Sequence, residues 1–216
     1  MKIEGVIFDL DGTLIHTIED IAGAANKMFA RHGLPQHGLD YYLKWIGSGA
    51  VKFIERAHGG PVSEKQLRNY VADFKEVYAG NLHEKSRVYE GIPQLLDELV
   101  SRGIRISVLS NKPHKMTQKV MEFYLSSWPF DPVLGQRDEV PRKPDPAAAN
   151  EIAEGWGIAP ENILFVGDSD NDILTARAAG MPVLGVSWGY GRLAENPVNG
   201  MGDLISSPSD ILTKIR

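Results

Sequence analysis

Apolar residues follow two different patterns along the chain. In residues 1–15 and 86–216, short apolar runs that predict buried strands alternate with amphipathic segments that predict helices. This alternation is typical of a parallel sheet covered by helices. Residues 16–85 show helical periodicity and no strand signal. The sequence therefore predicts an α/β protein: a three-layer, Rossmann-like parallel-sheet core (1–15 and 86–216) with an inserted all-helical cap (16–85).

The predicted elements have definite positions. Strands are expected at 4–8, 104–109, 163–166 and 183–186, with weaker candidates at 132–134 and 203–205. Core helices are expected at 92–102, 116–125, 146–156 and 171–179, and cap helices at 17–32, 41–46, 50–58 and 63–78. Because the insert begins directly after the first strand, we expect it to lie over the end of that strand as a lid.

Composition excludes several classes of function. The 216 residues are 43% hydrophobic and 24% charged, as in globular proteins. A net charge of -5 offers no basic surface for nucleic acid or an anionic membrane. Without cysteine there is no disulfide, thiolate catalysis or cysteine zinc site. With no signal peptide or membrane span in the sequence, we expect a cytoplasmic monomer or homodimer that acts on a small metabolite.

Two carboxylates follow the first predicted strand. Asp9 and Asp11 lie in Phe8-Asp9-Leu10-Asp11-Gly12-Thr13, where Gly12 permits a sharp turn. In open parallel sheets, ligands bind outside the carboxyl ends of the strands, so both side chains are expected in a cleft. Two anions this close need a cation or a shared proton. Mg²⁺, which prefers oxygen ligands, is the expected cofactor for phosphate chemistry, although Asp-Gly alone also fits a polar turn.

Further polar groups are expected at the same cleft. Ser110 and Asn111 end a strand, where a hydroxyl and backbone N–H groups can cradle phosphate or simply form a turn. Lys143 lies between Arg142 and Pro144, before a helix, and suits a point charge aimed at phosphate. A cis Lys143–Pro144 bond is one way to aim it. Asp168 and Asp172 can supply one direct and one supporting carboxylate to a metal, or cap a helix.

This ordered set of motifs resembles the haloacid dehalogenase superfamily of phosphohydrolases, over essentially the whole chain. The resemblance implies that Asp9 is a nucleophile that becomes an aspartyl phosphate and that Asp11 is the general acid and base. It assigns Mg²⁺ to Asp9, the Asp11 carbonyl and Asp168, with Asp172 supporting. Phosphate binding is expected at a set of polar residues: Thr13, which matches the motif threonine, Ser110, Asn111 and Lys143.

The cap sequence narrows the resemblance to the phosphoglycolate phosphatase branch. Gly47-Ser48-Gly49 and the helix that follows are typical of that branch, as are Asn111-Lys112-Pro113 and Trp188-Gly189-Tyr190-Gly191. His16 departs from it, because these proteins usually carry an acidic residue there. A helix N-terminus favours anions, so Gly47, Ser48, Gly49 and Lys52 are expected to meet a substrate carboxylate, as in 2-phosphoglycolate.

Other functions stay open at this point. Within the superfamily the alternatives are a broad sugar or nucleotide phosphatase and a sugar-phosphate mutase, which the cap alone distinguishes. Outside enzymes, a receiver-like phospho-acceptor domain also combines a doubly wound sheet with an acidic cluster, a hydroxyl and a lysine. The helical insert and the chain length count against a receiver domain, and catalytic turnover separates it from a phosphatase.

Overall fold

The computed structural model describes residues 2–199 and 201–215, and its core is a six-stranded parallel sheet. The strands, in chain order, are β1 (Gly5–Phe8), β4 (Arg105–Pro113), β5 (Val133–Gln136), β6 (Ile163–Gly167), β7 (Val183–Val186) and β8 (Leu204–Ile205). They are arranged in the order β5-β4-β1-β6-β7-β8. The first strand is therefore central, with β4 and β6 as its parallel neighbours.

Helices cover both faces of this sheet. The core helices are α5 (Ile92–Ser101), α6 (His114–Leu125), α7 (Ala147–Trp156) and α8 (Asp170–Ala178). Alternate residues of β1 point to opposite faces: Val6 and Phe8 belong to one hydrophobic cluster, and Ile7 belongs to the other. Every residue of β1 is buried, which explains why its sequence is a continuous apolar run. With helices on both faces of the parallel sheet, the structure confirms the predicted three-layer α/β fold.

Four helices follow the first strand. We call α1 (Ile18–Arg31), α2 (Leu39–Trp45), α3 (Gly49–His58) and α4 (Glu64–Ala79) the cap helices. Helix α4 begins with a capping box, in which Ser63 and Gln66 bond reciprocally. The apolar faces of the cap helices are continuous with the hydrophobic cluster on one face of the sheet.

A short antiparallel ribbon joins the cap helices to the sheet. It consists of β2 (Ile15–His16) and β3 (Arg87–Val88), which the sequence did not predict, because two-residue strands are too short to show alternation. Two short 3-10 helices, Pro160–Asn162 and Pro208–Thr213, were not predicted either. The predicted elements agree with the structure to within a few residues at their ends; β4 differs most and continues to Pro113. Over the described residues, no helix combines the length and apolar character that crossing a lipid bilayer requires.

Candidate active site

The functional side chains predicted from sequence lie at the carboxyl edge of the sheet. Phe8, the last residue of β1, is in register with Val108 of β4 and Val166 of β6. Asp9 and Asp168 therefore follow adjacent strands, and Ser110 lies beside them within β4. The register between β4 and β5 shifts after Leu109, so the backbone of residues 110–112 departs from regular pairing there.

Lys143 connects two of the predicted carboxylates. Its side chain is only 4% exposed, and its Nζ donates to Asp9 Oδ1 at 2.8 Å, Asp172 Oδ1 at 2.6 Å and the Leu109 carbonyl at 2.8 Å. These acceptors match the three donors of the ammonium group. The Lys143–Pro144 peptide is cis. The three hydrogen bonds of Nζ place Lys143, from the loop before α7, at the edge of the sheet.

Three buried carboxylates lie close together at this edge of the sheet. Asp9, Asp168 and Asp172 each offer an oxygen within 4.8 Å of the other two. Burial raises the pKa of Asp9 to about 7; Lys143 opposes this shift and Asp172 adds to it. Burial, together with Asp9 and Asp172, holds the pKa of Asp168 well above its usual range. Such a cluster strongly favours a bound cation, which would restore the ionised forms.

Asp168 is held by backbone rather than by side chains. The amides of Tyr190 and Gly191 donate to its Oδ2 at 2.5 and 3.1 Å. A Cβ at Gly189 would lie 2.2 Å from the Asp168 Cβ, and one at Gly12 would lie 2.4 Å from its Oδ2. The loops after β1 and β7 can approach the carboxylate this closely only because glycine stands at these positions.

Asp11 lies beside this cluster and has its own partners. Thr17 Oγ1 donates to Asp11 Oδ1 at 2.6 Å. Lys112 Nζ donates to Oδ1 at 2.8 Å and to Oδ2 at 3.0 Å. The same Nζ lies 2.7 Å from the hydroxyl of Tyr78 in α4. Asp11 is therefore bonded to the first cap segment directly and to the last cap helix through Lys112.

The remaining predicted phosphate ligands differ in position. Ser110 is buried in the cleft, and its Oγ accepts from the Lys112 amide at 3.2 Å. Asn111 lines the cleft, but its amide bonds to the Lys143 backbone at 2.9 and 3.1 Å. Thr13 is fully buried away from the cleft lining, and its Oγ1 has no hydrogen-bond partner among the described residues.

The cleft has a volume of about 440 Å³ between the sheet edge and the cap helices. Asp9, Asp11, Ser110 and Lys143 line its core side, and the cap side is mainly apolar, with Phe53 and Phe74 among its residues. Its size is in the range of pockets for small ligands.

The predicted cap loop enters the cleft. Gly47, Ser48 and Gly49 all line it. Asn111 Nδ2 donates to the Gly47 carbonyl at 3.0 Å, and Asn171 Nδ2 donates to it at 3.3 Å. Arg142 donates to the Ser48 carbonyl at 2.6 Å. Core side chains thus fasten this loop over the site.

Lys52 lies apart from the cleft. It is not among the residues that line the cleft; its Nζ instead pairs with Glu55 at 2.9 Å on the exposed face of α3. The cap cation that α3 brings to the cleft is Arg56, which donates to the Trp45 carbonyl at 3.2 Å. The structure therefore does not bring Lys52 to the predicted substrate site.

His16 lies in the ribbon strand β2, outside the residues that line the cleft. Its ring meets the rings of Tyr89 and Tyr190 edge-on, with centroids 5.8 and 5.7 Å away. Burial, together with Arg87, lowers the pKa of His16, which favours the neutral ring. The unusual histidine is thus a packing residue of the junction between cap and core.

Comparison with known proteins agrees with this architecture. A family model of haloacid dehalogenase-like hydrolases matches residues 6–186. The chain is 36% identical to the phosphoglycolate phosphatase of Pasteurella multocida (85% of each chain covered) and 35% identical to phosphoglycolate phosphatase 1 of Pseudomonas aeruginosa (86% of this chain, 70% of the relative). A structure from Haemophilus somnus 129PT, described as a predicted phosphoglycolate phosphatase, superposes with a TM-score of 0.89 at 28% identity, covering 99% and 98% of the two chains.

The chain therefore belongs to the haloacid dehalogenase-like hydrolase family. The names of its relatives, together with this family membership, indicate a phosphoric monoester hydrolase.

Sequence reasoning missed several residues of the site. Thr17, Tyr78 and Lys112 contact Asp11 or its ammonium partner, and Tyr190 joins the loop after β7 to α1, its hydroxyl accepting from the Thr17 amide at 2.6 Å. Lys112 had a signal, because it follows the motif serine by two residues. Tyr190 lies in the Trp188-Gly189-Tyr190-Gly191 motif, whereas the contacts of Thr17 and Tyr78 depend on how the cap helices pack, which local sequence patterns do not reveal.

Proposed function

We propose that this protein is a Mg²⁺-dependent phosphatase that hydrolyses a small phosphomonoester, 2-phosphoglycolate, through an aspartyl phosphate on Asp9. The observation that carries the proposal is the junction of Asp9, Asp168 and Asp172 with Lys143 at one end of a cleft. A nucleophile, a site for a cation and a fixed ammonium group are the parts that phosphoryl transfer to a carboxylate requires.

The donor set fits Mg²⁺. Asp9 and Asp168 offer carboxylate oxygens, Asp172 supports them, and the Asp11 carbonyl completes the proposed set; all of these are hard oxygen ligands. Asp172 Oδ2 is already taken by the Ser169 amide and hydroxyl at 3.0 and 2.7 Å, which suits a supporting role. Mg²⁺ at this place would neutralise charge, so that the carboxylate and the phosphate can meet.

In the first proposed step, a carboxylate oxygen of Asp9 bonds to phosphorus as the bond from phosphorus to the ester oxygen breaks. Asp11 gives its proton to the departing oxygen, so that the product leaves as an alcohol. Lys143 and Ser110 stabilise the charge on the phosphoryl oxygens. We propose that Asn111 supports this group through its two bonds to the Lys143 backbone, and that Thr13 shapes the turn that carries Asp11.

The second step returns the enzyme to its starting state. Asp11, now a carboxylate, takes a proton from a water molecule whose oxygen bonds to phosphorus. The bond to Asp9 breaks, and inorganic phosphate leaves. Because the cap loop is fastened over the cleft by Asn111, Asn171 and Arg142, bulk water is kept away from the aspartyl phosphate. We take the cap helices to be the lid; the domain boundaries at residues 15/16 and 85/86 stay predictions.

The proposed substrate rests on the cleft and on the relatives. Gly47, Ser48 and Gly49 bring the N-terminus of α3 to the cleft, where it favours an anionic group beyond the phosphate. The relatives named phosphoglycolate phosphatase support the same substrate. A cytoplasmic location and a monomeric or homodimeric state stay predictions from the sequence.

A substrate panel tests this proposal. With Mg²⁺ present, we expect kcat/KM for 2-phosphoglycolate to exceed that for hexose phosphates and nucleotides by about tenfold or more, since a site that pairs a carboxylate discriminates against analogues without one. A hexose phosphate or nucleotide that wins by the same factor would contradict the substrate and favour a broad phosphatase. Absence of phosphate release from every ester would instead favour a phospho-acceptor domain.

Mg²⁺ binding is expected to depend on pH. The raised pKa of Asp9 means that its proton stabilises the metal-free folded protein at low pH, and that this contribution is lost as pH rises through about 7. Protons therefore compete with Mg²⁺ below that pH. We expect saturating Mg²⁺ to raise Tm clearly at about pH 8 and by less than half as much at about pH 5.5. A shift equal at both pH values, or retained in Asp168→Asn, would contradict the assignment.

A further inference from the structure

A second buried ammonium group lies in the cleft beside Lys143. The Lys112 side chain is only 3% exposed. Five cationic side chains line the described part of the cleft, and three of them, Lys44, Arg56 and Arg192, are exposed. Lys143 bonds to Asp9, the proposed nucleophile, whereas Lys112 bonds to Asp11 and Tyr78. Lys112 is therefore the buried cation placed to meet the part of the substrate beyond the phosphate, where a substrate anion would replace one of the present partners of its Nζ.

The position of Lys112 is defined by Asp11. Its Nζ bonds to both oxygens of that carboxylate, at 2.8 and 3.0 Å. In the proposed mechanism Asp11 serves the ester oxygen, so the ammonium group lies on the leaving-group side of the phosphate. Lys143 lies on the nucleophile side, at Asp9 and Asp172. The two lysines therefore face different parts of a bound phosphoester.

The cap encloses the same ammonium group. Tyr78 places its hydroxyl 2.7 Å from Nζ, and Nζ lies 4.7 Å from the centre of the Tyr78 ring. Phe74, one turn earlier on α4, is buried and stacks on the Tyr78 ring. A cation with apolar and aromatic neighbours is poorly screened by water, so it distinguishes an anionic ligand from a neutral one more sharply than an exposed cation does.

We propose that Lys112 is a specificity-determining residue that binds a carboxylate located two bonds from the ester oxygen of the substrate. This inference rests on the proposed function, because it takes the role of Asp11 from it. In 2-phosphoglycolate the carboxylate carbon is attached to the carbon that bears the ester oxygen. One of its oxygens can therefore reach Nζ while the ester oxygen meets Asp11. A neutral hydroxymethyl group at the same place makes no ion pair.

Two ligands that differ only in their carboxylate can distinguish direct binding by Lys112 from an indirect effect of Lys112 through Asp11. The ligands are 3-phosphonopropionate, an unreactive analogue of 2-phosphoglycolate, and 3-hydroxypropylphosphonate, which carries an alcohol in place of the carboxylate. Binding to the full chain with Mg²⁺ is measured by calorimetry. We expect Lys112→Met to raise the Kd of the carboxylate ligand by about tenfold or more and that of the alcohol by less than about threefold. Equal changes for the two ligands would overturn the proposal.

Enzyme activity gives a second test of whether Lys112 recognises the carboxylate. We expect Lys112→Met to remove most of the preference in kcat/KM for 2-phosphoglycolate over 2-hydroxyethyl phosphate. Lys115→Met, the same change at an exposed lysine of α6, should leave the preference unchanged. If Lys112→Met does not fold, Lys112→Gln, which keeps a polar side chain, takes its place in both measurements. A preference that survives in the folded variant counts against Lys112.

The two proposals can fail separately. If the wild-type protein prefers another phosphoester but Lys112→Met still weakens the carboxylate ligand selectively, the proposed substrate is wrong and the role of Lys112 stands. If 2-phosphoglycolate is the preferred substrate and Lys112→Met weakens both ligands equally, the substrate stands and Lys112 acts only through Asp11.

Discussion

Asp9→Asn is expected to lower kcat by about 10⁴-fold or more while the protein stays folded. The amide cannot form an acyl phosphate as the carboxylate does, so the first proposed step is lost. Lys143 keeps Asp172 and the Leu109 carbonyl as acceptors in this variant. The substitution also removes one charge from a crowded carboxylate cluster. We therefore expect a Tm close to that of the wild type, with phosphate release as the measurement of activity.

The covalent intermediate can be located directly. Wild-type protein and Asp11→Asn, in which both steps are slowed, are mixed with substrate, quenched in acid and digested. Mass spectrometry should find one phosphoryl group on the peptide that contains Asp9. Asp138→Asn, which makes the same change at an exposed position, should behave like the wild type. An adduct on any other residue would contradict the role of Asp9.

The catalytic cluster could be predicted because its geometry follows from topology. Asp9 and Asp168 each follow a strand whose residues form a continuous buried run, and parallel strands bring such positions to one edge. The predicted strand ends therefore determine the neighbours of the side chains without any knowledge of loop structure. Lys143 lies in an irregular loop, so its place there was predicted from its position between Arg142 and Pro144 before a helix and from the motif resemblance, not from strand topology.

The cap side of the cleft could be predicted only in part. The loop at Gly47 and the helix after it were recognised, but the helix face was not. Ala50, Phe53 and Arg56 are spaced three residues apart and line the cleft together. Lys52, one turn before Arg56, pairs with Glu55 and does not line the cleft. A difference of one helical turn thus decides which cation of α3 lines the cleft.

The contacts that link cap and core depend on long-range packing. Asn111 was predicted to bind phosphate, yet in the structure its amide bonds to backbone atoms of Gly47 and Lys143. Lys112 meets Tyr78, which lies 34 residues earlier in the chain. Neither contact leaves a periodic signal, because each involves a single side chain that meets residues far away in the chain.

Lys143→Met is expected to reduce both activity and stability. Removing the ammonium group leaves Asp9, Asp172 and the Leu109 carbonyl without their shared donor in a buried site. Breaking one partner out of a buried ion pair costs about 3–5 kcal/mol. The phosphoryl group loses a fixed positive charge as well, so we expect kcat/KM to fall by about 10³-fold, or about 4 kcal/mol.

The loss of stability and the loss of activity in Lys143→Met should respond differently to pH and to Mg²⁺. Protonation of Asp9 relieves the unpaired charge, so we expect the loss of stability in Lys143→Met to be larger at about pH 8 than at about pH 5.5. Mg²⁺ should restore part of the stability, because it also neutralises the carboxylates. It should not restore activity, because in the proposed mechanism the lysine contacts the phosphoryl oxygens independently of the metal. The free energy of unfolding is measured by chemical denaturation at the two pH values, with Lys115→Met as the control. Wild-type stability together with activity within tenfold of the wild type would show that Lys143 serves neither role.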